Sequence, residues 1–434
     1  MPIRPKRKLL LASALAFSAA SLAFAPALNA RTYSAIEVRG AEFIPEENIV
    51  AACEVAPEVD YSAADLGLIR DCLMSSGQFR SVQVAGEGDT LVIAVSELND
   101  RPGSVSVGLA YDSRDGVVGN LYFERYNLFP GTFGAIDLQI SKESRSLQTY
   151  LFTKEAFGGL DFGIDTQLLR TDYDNQGFDS RRALIEPYLG HTFDEGLRVE
   201  FGIGYRRDEM TDITPGSSAL FANEAGVVDA PYARIGFRYS TNPLEQGASE
   251  MVSGVALSVD QYFWGLGTDN RISETRVEAE SRFALSERNA LLIGFQGGVV
   301  NAEGDGSSRA VDRFFIGGAD FRGFAPRGIG PKDGDYFVGA NNYFVSSIEV
   351  QRDIDQILGT PTKIGLFADV GSAWSLDDTL GGAIDDDRKI RSSVGVSMTL
   401  EVGSVPVSLY VAKPLDHEAT DDEQNFGLSI STSF

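Results

Sequence analysis

Two kinds of hydrophobic repeat divide the chain. Between residues 33 and 98 a helical spacing of apolar positions is mixed with strict alternation, whereas from Pro102 onward the repeat becomes two and stays two. In the first stretch Ser34 to Arg39 alternates, with Ile36 and Val38 on one face. Pro45-Glu46-Glu47 opens a short helix running through Cys53, because proline suits a first turn and acids favour the positive end of the helix dipole. Ser62 caps a second helix with Asp65 three residues on, close to a capping box. Its Leu66, Ile69, Leu73 and Met74 recur at helical spacing, and Gly77 stops it. Two strands follow, Arg80 to Ala85 and Thr90 to Ser96, joined by a Gly-Glu-Gly-Asp turn at 86 to 89. The predicted order is strand, helix, helix, strand, strand.

Beyond Pro102 each strand puts grease on one face and small or charged residues on the other. Val199, Phe201, Ile203 and Tyr205 alternate with Glu200, Gly202, Gly204 and Arg206; Val277, Ala279 and Phe283 alternate with Arg276, Glu278, Glu280 and Arg282. Val394, Val396, Met398 and Leu400 repeat the pattern, as do Phe426, Leu428, Ile430 and Phe434. Sixteen strands are predicted, starting near 103, 117, 131, 146, 160, 178, 197, 229, 248, 271, 290, 339, 362, 392, 405 and 425. Even-numbered connections are short, such as Phe129 to Gly131 and Ala156 to Gly159. The long ones, Thr211 to Val228, Ala302 to Val338, Ser375 to Arg391 and Lys413 to Gln424, are all odd-numbered. A soluble β-sandwich also alternates, but its strands are shorter, usually about five or six residues, and its loops do not alternate in length. Apolar-out, polar-in strands with short turns at one end and long loops at the other are the pattern of a barrel in lipid. The expected fold is mostly β, a 16-stranded transmembrane β-barrel over 102–434 preceded by one small α/β domain over 31–98.

Residues 1–30 are expected to be a signal peptide. Arg4, Lys6, Arg7 and Lys8 precede an apolar run from Leu9 to Ala25 that ends in small residues, with cleavage after Ala30 or Ala27. Past residue 30 no apolar stretch has the length of about 18 residues that a spanning helix needs. The composition is acidic, with 62 Asp and Glu against 37 Lys and Arg. That argues against nucleic acid, whose binding rests on neutralising phosphates with Lys and Arg, and it suits carboxylate-rich loops and a wet lumen. Cys53 and Cys72, an even count in an exported chain, read as one disulfide, with two buried thiols as the alternative. His191 and His417 lie far apart, no His/Cys cluster has metal-ligand spacing, and no metal or cofactor is indicated. Catalysis is not expected either, since neither His has a Gly-x-Ser-x-Gly nucleophile elbow in reach.

Several fragments share one likeness. Residues 312–324, Asp-Arg-Phe-Phe-Ile-Gly-Gly-Ala-Asp-Phe-Arg-Gly-Phe, resemble the loop of the BamA/TamA and two-partner-secretion barrels, in which an Arg-Gly-aromatic tip folds back into the lumen. Phe321 stands where that family usually has Val. Phe367-Ala368-Asp369-Val370-Gly371 resembles its aspartate-bearing inner-wall motif, and Asn127-Leu128-Phe129-Pro130-Gly131 its first periplasmic turn. Ala412-Lys413-Pro414-Leu415 and the terminal Phe434 resemble its last two strands, and residues 33–98, with Ser-Gly-Gln-Phe at 76–79, resemble a POTRA domain. The space ahead of the barrel suits one POTRA unit, where BamA-type proteins carry five, TamA-type three and two-partner transporters two.

The resemblance implies a protein of the Gram-negative outer membrane with its POTRA-like unit in the periplasm. Its expected partners are outer-membrane lipids, nascent outer-membrane or secreted protein substrates, and a periplasmic protein at the POTRA unit. A guanidinium fork matches a carboxylate, so Arg322 is expected to pair with Asp369 on the inner wall. Gly323 would allow close backbone approach, and Phe321 and Phe324 would pack against the wall. Phe434 is the expected sorting signal, and the seam between first and last strands is the expected lateral gate. A diffusion pore is the rival function; it would need neither the N-terminal unit nor the inward loop.

Overall fold

The computed structural model of the chain describes residues 31–41, 44, 46–53, 55–75, 79–97, 103–112, 116–129, 131–173, 176–193, 196–241, 253–304, 306–357, 359–402 and 405–430. The chain divides into two compact units, one up to Asp100 and one from Arg101.

The first unit is a three-stranded sheet with two helices. Strands β1 (Ala35–Arg39), β2 (Phe79–Glu87) and β3 (Thr90–Glu97) lie in the order β1-β3-β2, with β1 parallel to β3 and β2 antiparallel to it. Helix α1 spans Glu46–Ala52 and α2 spans Ala63–Ser75. The capping box of α2 is reciprocal: Asp65 N–H donates to Ser62 Oγ at 3.3 Å, and Ser62 N–H donates to Asp65 Oδ2 at 2.8 Å. Ile49, Ile69, Leu73, Phe79, Leu91 and Ile93 form the core. Met74 departs from its expected inward place, being 39% exposed, because Leu73 already occupies the core-facing position of that turn. The hairpin is also tighter than expected. Its strands reach Glu87 and Thr90, leaving Gly88, in the left-handed region at φ 61°, and Asp89 to turn the chain. Cys53 and Cys72 form a disulfide, joining the residue after α1 to the last turn of α2 with Cα atoms 6.2 Å apart.

The second unit is one antiparallel sheet whose strand order closes into a ring of sixteen. Its first eight strands are β4 (Gly103–Asp112), β5 (Gly116–Phe129), β6 (Thr132–Ile140), β7 (Ser144–Phe157), β8 (Leu160–Asp172), β9 (Asp179–Thr192), β10 (Leu197–Thr211) and β11 (Gly226–Ser240). The others are β12 (Gly254–Trp264), β13 (Arg271–Ser286), β14 (Asn289–Glu303), β15 (Asn342–Ile357), β16 (Thr360–Trp374), β17 (Arg391–Val402), β18 (Val405–Asp416) and β19 (Phe426–Ile430). Each strand pairs with its sequence neighbours, and β19 meets β4 at Ser429↔Asp112.

The burial is inverted relative to a soluble protein. Val107 is 78% exposed and Leu366 67%, while Glu274 and Asp369 are each 1% exposed. Along β10 the exposed Phe201, Ile203 and Tyr205 alternate with the buried Gly202, Gly204, Arg206 and Asp208. The two-residue period therefore sends apolar side chains outward and charged ones inward. Glycines on the inner face make room for large neighbours: an added Cβ at Gly204 would meet the Tyr232 ring at 2.4 Å, and one at Gly395 the Phe367 ring at 2.4 Å.

Local departures have local causes. The connection expected to be irregular from Thr211 to Val228 holds a short helix, α3 (Ala219–Glu224), and β11 already starts at Gly226. Ser218 caps α3 by accepting from Leu220 N–H, and Leu220 and Phe221 bury on Phe178 and Met210. The strand expected near 248 is described from Gly254; its expected start lies outside the described residues. Pro414 is accommodated beside a register shift between Ser392 and Ser393, where a ladder donor is dispensable.

Candidate functional site

The connection from β14 to β15 does not project away from the barrel; its middle lies against inward-facing side chains of the wall. Gly323 has φ 101°, and an added Cβ there would sit 3.0 Å from Ser393 Cβ, so the backbone conformation and the close approach both call for glycine. The adjacent Arg322 is the hub. Its Nε donates to Asp369 Oδ2 at 2.8 Å and its Nη2 to Asp369 Oδ1 at 2.7 Å, a two-pronged pair. Its backbone N–H also donates to Asp369 Oδ2 at 3.3 Å. The remaining arm reaches β15, with Nη1 donating to Glu349 Oε2 at 2.5 Å and Nη2 to Ser347 Oγ at 2.8 Å. The guanidinium carbon lies 3.4 Å from the centroid of the Phe367 ring, a cation–π contact. Burial of Arg322 works against its charge, but the Asp369 and Glu349 carboxylates more than offset that and raise its pKa.

Phe321 and Phe324 are fully buried, with ring centroids 4.7 Å apart. They pack with Ile316 and Ile329 of the loop and with Val345 and Ala373 of the wall. Two further strands hold the tip: Ser393 Oγ donates to Arg322 O at 2.5 Å, and Tyr410 Oη donates to Gly318 O at 3.2 Å. Gly323 and Phe324 also pair with Gln424 and Glu423 of the connection between β18 and β19, and Ala325 N–H donates to Asp422 O at 2.8 Å.

A second charged cluster fixes the start of the loop. Arg206 pairs with Asp208 at 2.5 Å and with Asp312, and stacks on Trp264 at 4.2 Å. Arg182 donates to Asp208 at 2.7 Å and to Val311 O at 2.8 Å, while Arg313 holds Glu224 of α3 at 2.7 Å. Burial alone would raise the Asp312 pKa; the guanidiniums of Arg206, Arg309 and Arg182 overcome it and hold that carboxyl well below the usual range. Away from the loop, Arg234 on β11 ties Glu186, Glu200 and Asp260 together at 2.6, 3.0 and 3.1 Å, bracing four adjacent strands from within.

The structure thus brings together Phe321, Arg322, Gly323, Phe324 and Asp369. Sequence reasoning missed Glu349 and Ser347, although their signal was present. Ser347 is the register partner of Asp369, and Glu349 is in the same inward phase two residues along. It also missed the Arg182–Arg206–Asp208–Asp312 cluster. Phe434 lies outside the described residues, as does Pro130 of the first turn. Among the described residues no group of three or more His, Cys, Asp or Glu side chains could hold a metal ion.

A ring of antiparallel strands, apolar outside and charged inside, with an Arg-Gly-Phe loop locked to its inner wall, defines a class of barrel. The chain belongs to the Omp85 superfamily, whose domain model matches residues 127–434. It is 26% identical over 352 residues to the outer membrane protein assembly factor BamA of Nitratidesulfovibrio vulgaris, covering 78% of this chain and 42% of that one. With the BamA of Neorickettsia risticii it shares 23% identity over 357 residues, 80% of this chain and 47% of the relative. The chain therefore spans less than half the length of these curated relatives. Its fold is similar to the crystal structure of BamA from Haemophilus ducreyi lacking POTRA domains 1–3, with a TM-score of 0.78 at 17% identity, covering 92% and 84% of the two chains. CdiB from Escherichia coli aligns with a TM-score of 0.51 at 12% identity, covering 96% and 92%.

Proposed function

We propose that this protein works in the outer membrane of a Gram-negative bacterium, inserting outer-membrane proteins or passing protein across that membrane. The barrel sits in lipid with its short turns toward the periplasm, and residues 31–98 act as a single periplasmic POTRA domain. Client strands are taken up at a sheet edge, where backbone hydrogen bonds supply affinity and alternate side chains supply selectivity. Edges suited to this are β1 and β2, each with one neighbour in the three-stranded sheet. Soluble periplasmic partners dock on the same unit.

The observation that carries the reading is the seam. The first and last strands of the ring, β4 and β19, meet here in the register Ser429↔Asp112, and unlike the other neighbours in the ring they are not consecutive in the chain. Parting these two strands breaks no chain connection, so the wall opens there first, sideways into the bilayer. The locked loop supports translocation or insertion over free diffusion, since it fills lumen that a pore would leave open.

The test is a cysteine pair at the registered positions, Asp112→Cys with Ser429→Cys, in the full chain inserted into lipid vesicles. Insertion of an added unfolded outer-membrane barrel is followed by its resistance to protease. Oxidation is expected to abolish the acceleration and reduction to restore it. Full activity in the oxidised protein would refute lateral opening. Deleting residues 31–98 separates the functions: loss of client assembly supports the assembly reading, and unchanged solute flux with no assembly to lose supports a pore.

A further inference from the structure

On the outer surface of the barrel, four arginines gather on four adjacent strands. In the ladder Arg145 of β7 is the direct partner of Arg170 of β8, and Arg170 is in turn the direct partner of Arg181 of β9. All three are exposed, and they share the outward face with Leu147, Leu168 and Ile185. The row continues to Glu209 of β10, and Arg207 lies on the same face two residues along. Like charges directly opposite one another weaken a sheet, so three side by side are a cost that a fold alone has no use for.

Partners within the chain offset only part of this charge. Arg170 Nη2 lies 3.2 Å from Asp179 and Arg181 Nη1 lies 3.7 Å from Glu209. Asp172 opposes Asp179 beyond the row, and Asp229, which accepts from Tyr205 Oη at 2.7 Å, is the ladder partner of Arg207. Arg145 and Arg207 make no ion pair among the described residues. Further round the barrel, by contrast, Arg271 has Glu303 as its ladder partner, at 3.8 Å.

Directly below the guanidiniums the next row reads Leu138, Leu147, Leu168, Ala183. Together the two rows line a groove of about 390 Å³ on the outside of the wall. Arg145, Arg170 and Arg181 lie at the ends of their strands opposite the turns at 157–160 and 192–197, the ends that face outward if the proposed membrane placement holds. We propose that this groove binds a phosphate-bearing lipid of the outer leaflet, its phosphates held by Arg145, Arg170, Arg181 and Arg207 and one acyl chain laid on the leucine strip. Guanidinium forks suit phosphate oxygens in a way that single snorkelling anchors do not require.

The inference rests on the barrel spanning a membrane, and the test separates the two. The full chain is inserted into phosphatidylcholine vesicles doped with a spin-labelled glycolipid carrying two phosphates. Its motionally restricted fraction is compared in wild type, R170Q, R145Q/R170Q/R181Q and the triple lysine variant, with far-UV circular dichroism checking the fold. The wild type is expected to hold the glycolipid about tenfold more tightly than the triple glutamine variant, with R170Q and the lysine variant in between. Equal retention by wild type and triple glutamine variant, or equal retention of labelled phosphatidylcholine, overturns the site. If inorganic phosphate at millimolar concentration displaces the glycolipid, the groove is a free-anion site and the lipid proposal falls. Failure of the wild type to insert overturns the membrane reading and this proposal with it; insertion without selectivity overturns this proposal alone.

Discussion

Removing Arg322 should be the most damaging single change to the loop. Its side chain is 14% exposed, and it neutralises Asp369 and Glu349, whose side chains are 2% and 9% exposed. Arg322→Ala leaves both carboxylates buried with only Ser347, Ser397 and Gln351 as side-chain donors. Breaking a buried pair costs roughly 3–5 kcal/mol, most of it from the stranded charge. Two stranded carboxylates place Arg322→Ala at about 5 kcal/mol, whereas Asp369→Ala, which leaves Arg322 its bond to Glu349, costs about 3 kcal/mol. The double variant should cost less than the sum of the singles, with a coupling of about 2 kcal/mol. Arg322→Lys keeps the charge but not the fork, so it falls between wild type and Asp369→Ala. Urea unfolding of the vesicle-inserted chain, followed by emission of Trp264 and Trp374, gives the free energies; cleavage by trypsin at Arg313 and Arg327 gives the release of the loop. If Arg322→Ala leaves both the urea midpoint and the tryptic pattern unchanged, the loop is not held by this pair.

Three further outcomes are expected. Gly323→Ala forces a side chain into φ 101° against Ser393 and should cost about 1–3 kcal/mol, read as faster tryptic release of the loop with Arg322 intact. Replacing Cys53 and Cys72 by serine reopens a loop with a sequence separation of 19 and should destabilise the first unit by about 3 kcal/mol, seen as a lower urea concentration for its proteolysis in the full chain. The Asp312 carboxyl has a folded pKa below its unfolded one, so its contribution is complete above about pH 4 and is lost as the pH falls through the lowered value. Deuterium uptake of residues 304–341, measured at each pH and corrected for the intrinsic exchange rate, should stay low down to about pH 4 and rise below it, with Asp312→Asn already less protected at neutral pH.

Much of the barrel was legible because its signal has a fixed period. Inward and outward phases of β10, β13 and β17 follow from alternation alone, and the ends of the strands follow from where it breaks. Helix α3 was not legible: it is six residues long, too short for a periodic pattern, and is held by burial of Leu220 and Phe221 rather than by propensity. Arg322 with Asp369 came from likeness to a known loop, a local string that says nothing of what else lies within reach. Glu349 was missed because its part in the site depends on the register of β15 against β16, which an irregularity between Asp353 and Gln356 shifts from the one the short turn would set. The arginine row on β7, β8 and β9 was hidden as well. Arg145, Arg170 and Arg181 look like scattered charges until the ladders set them side by side.

The loop's contacts also say which part of the wall can move. Its tip is bonded to β15 through Ser347 and Glu349, to β16 through Asp369, to β17 through Ser393 and to β18 through Tyr410. Its start is bonded to β9 and β10 through Arg182 and Arg206. Strands β4 to β7 take no part in these contacts, so the arc running away from the seam on the N-terminal side is held by its ladders and by bonds between neighbouring strands, such as Asn120 to Asp137 at 2.7 Å. If the seam parts, β18 stays pinned by Tyr410, whose ring also lies over Gly427 of β19 and keeps that last strand beside it. The compliant side is then β4 onward, and opening amounts to peeling the first strands outward while the loop holds the far wall. Backbone amides of residues 103–140 should therefore exchange with deuterium at least about tenfold faster than those of 342–374 in vesicle-inserted protein, a difference that local opening free energies about 1.4 kcal/mol apart would produce. Arg322→Ala should narrow the gap by speeding exchange in 342–374, not by slowing it in 103–140. Equal protection of the two arcs would mean that the loop does not set where the wall yields.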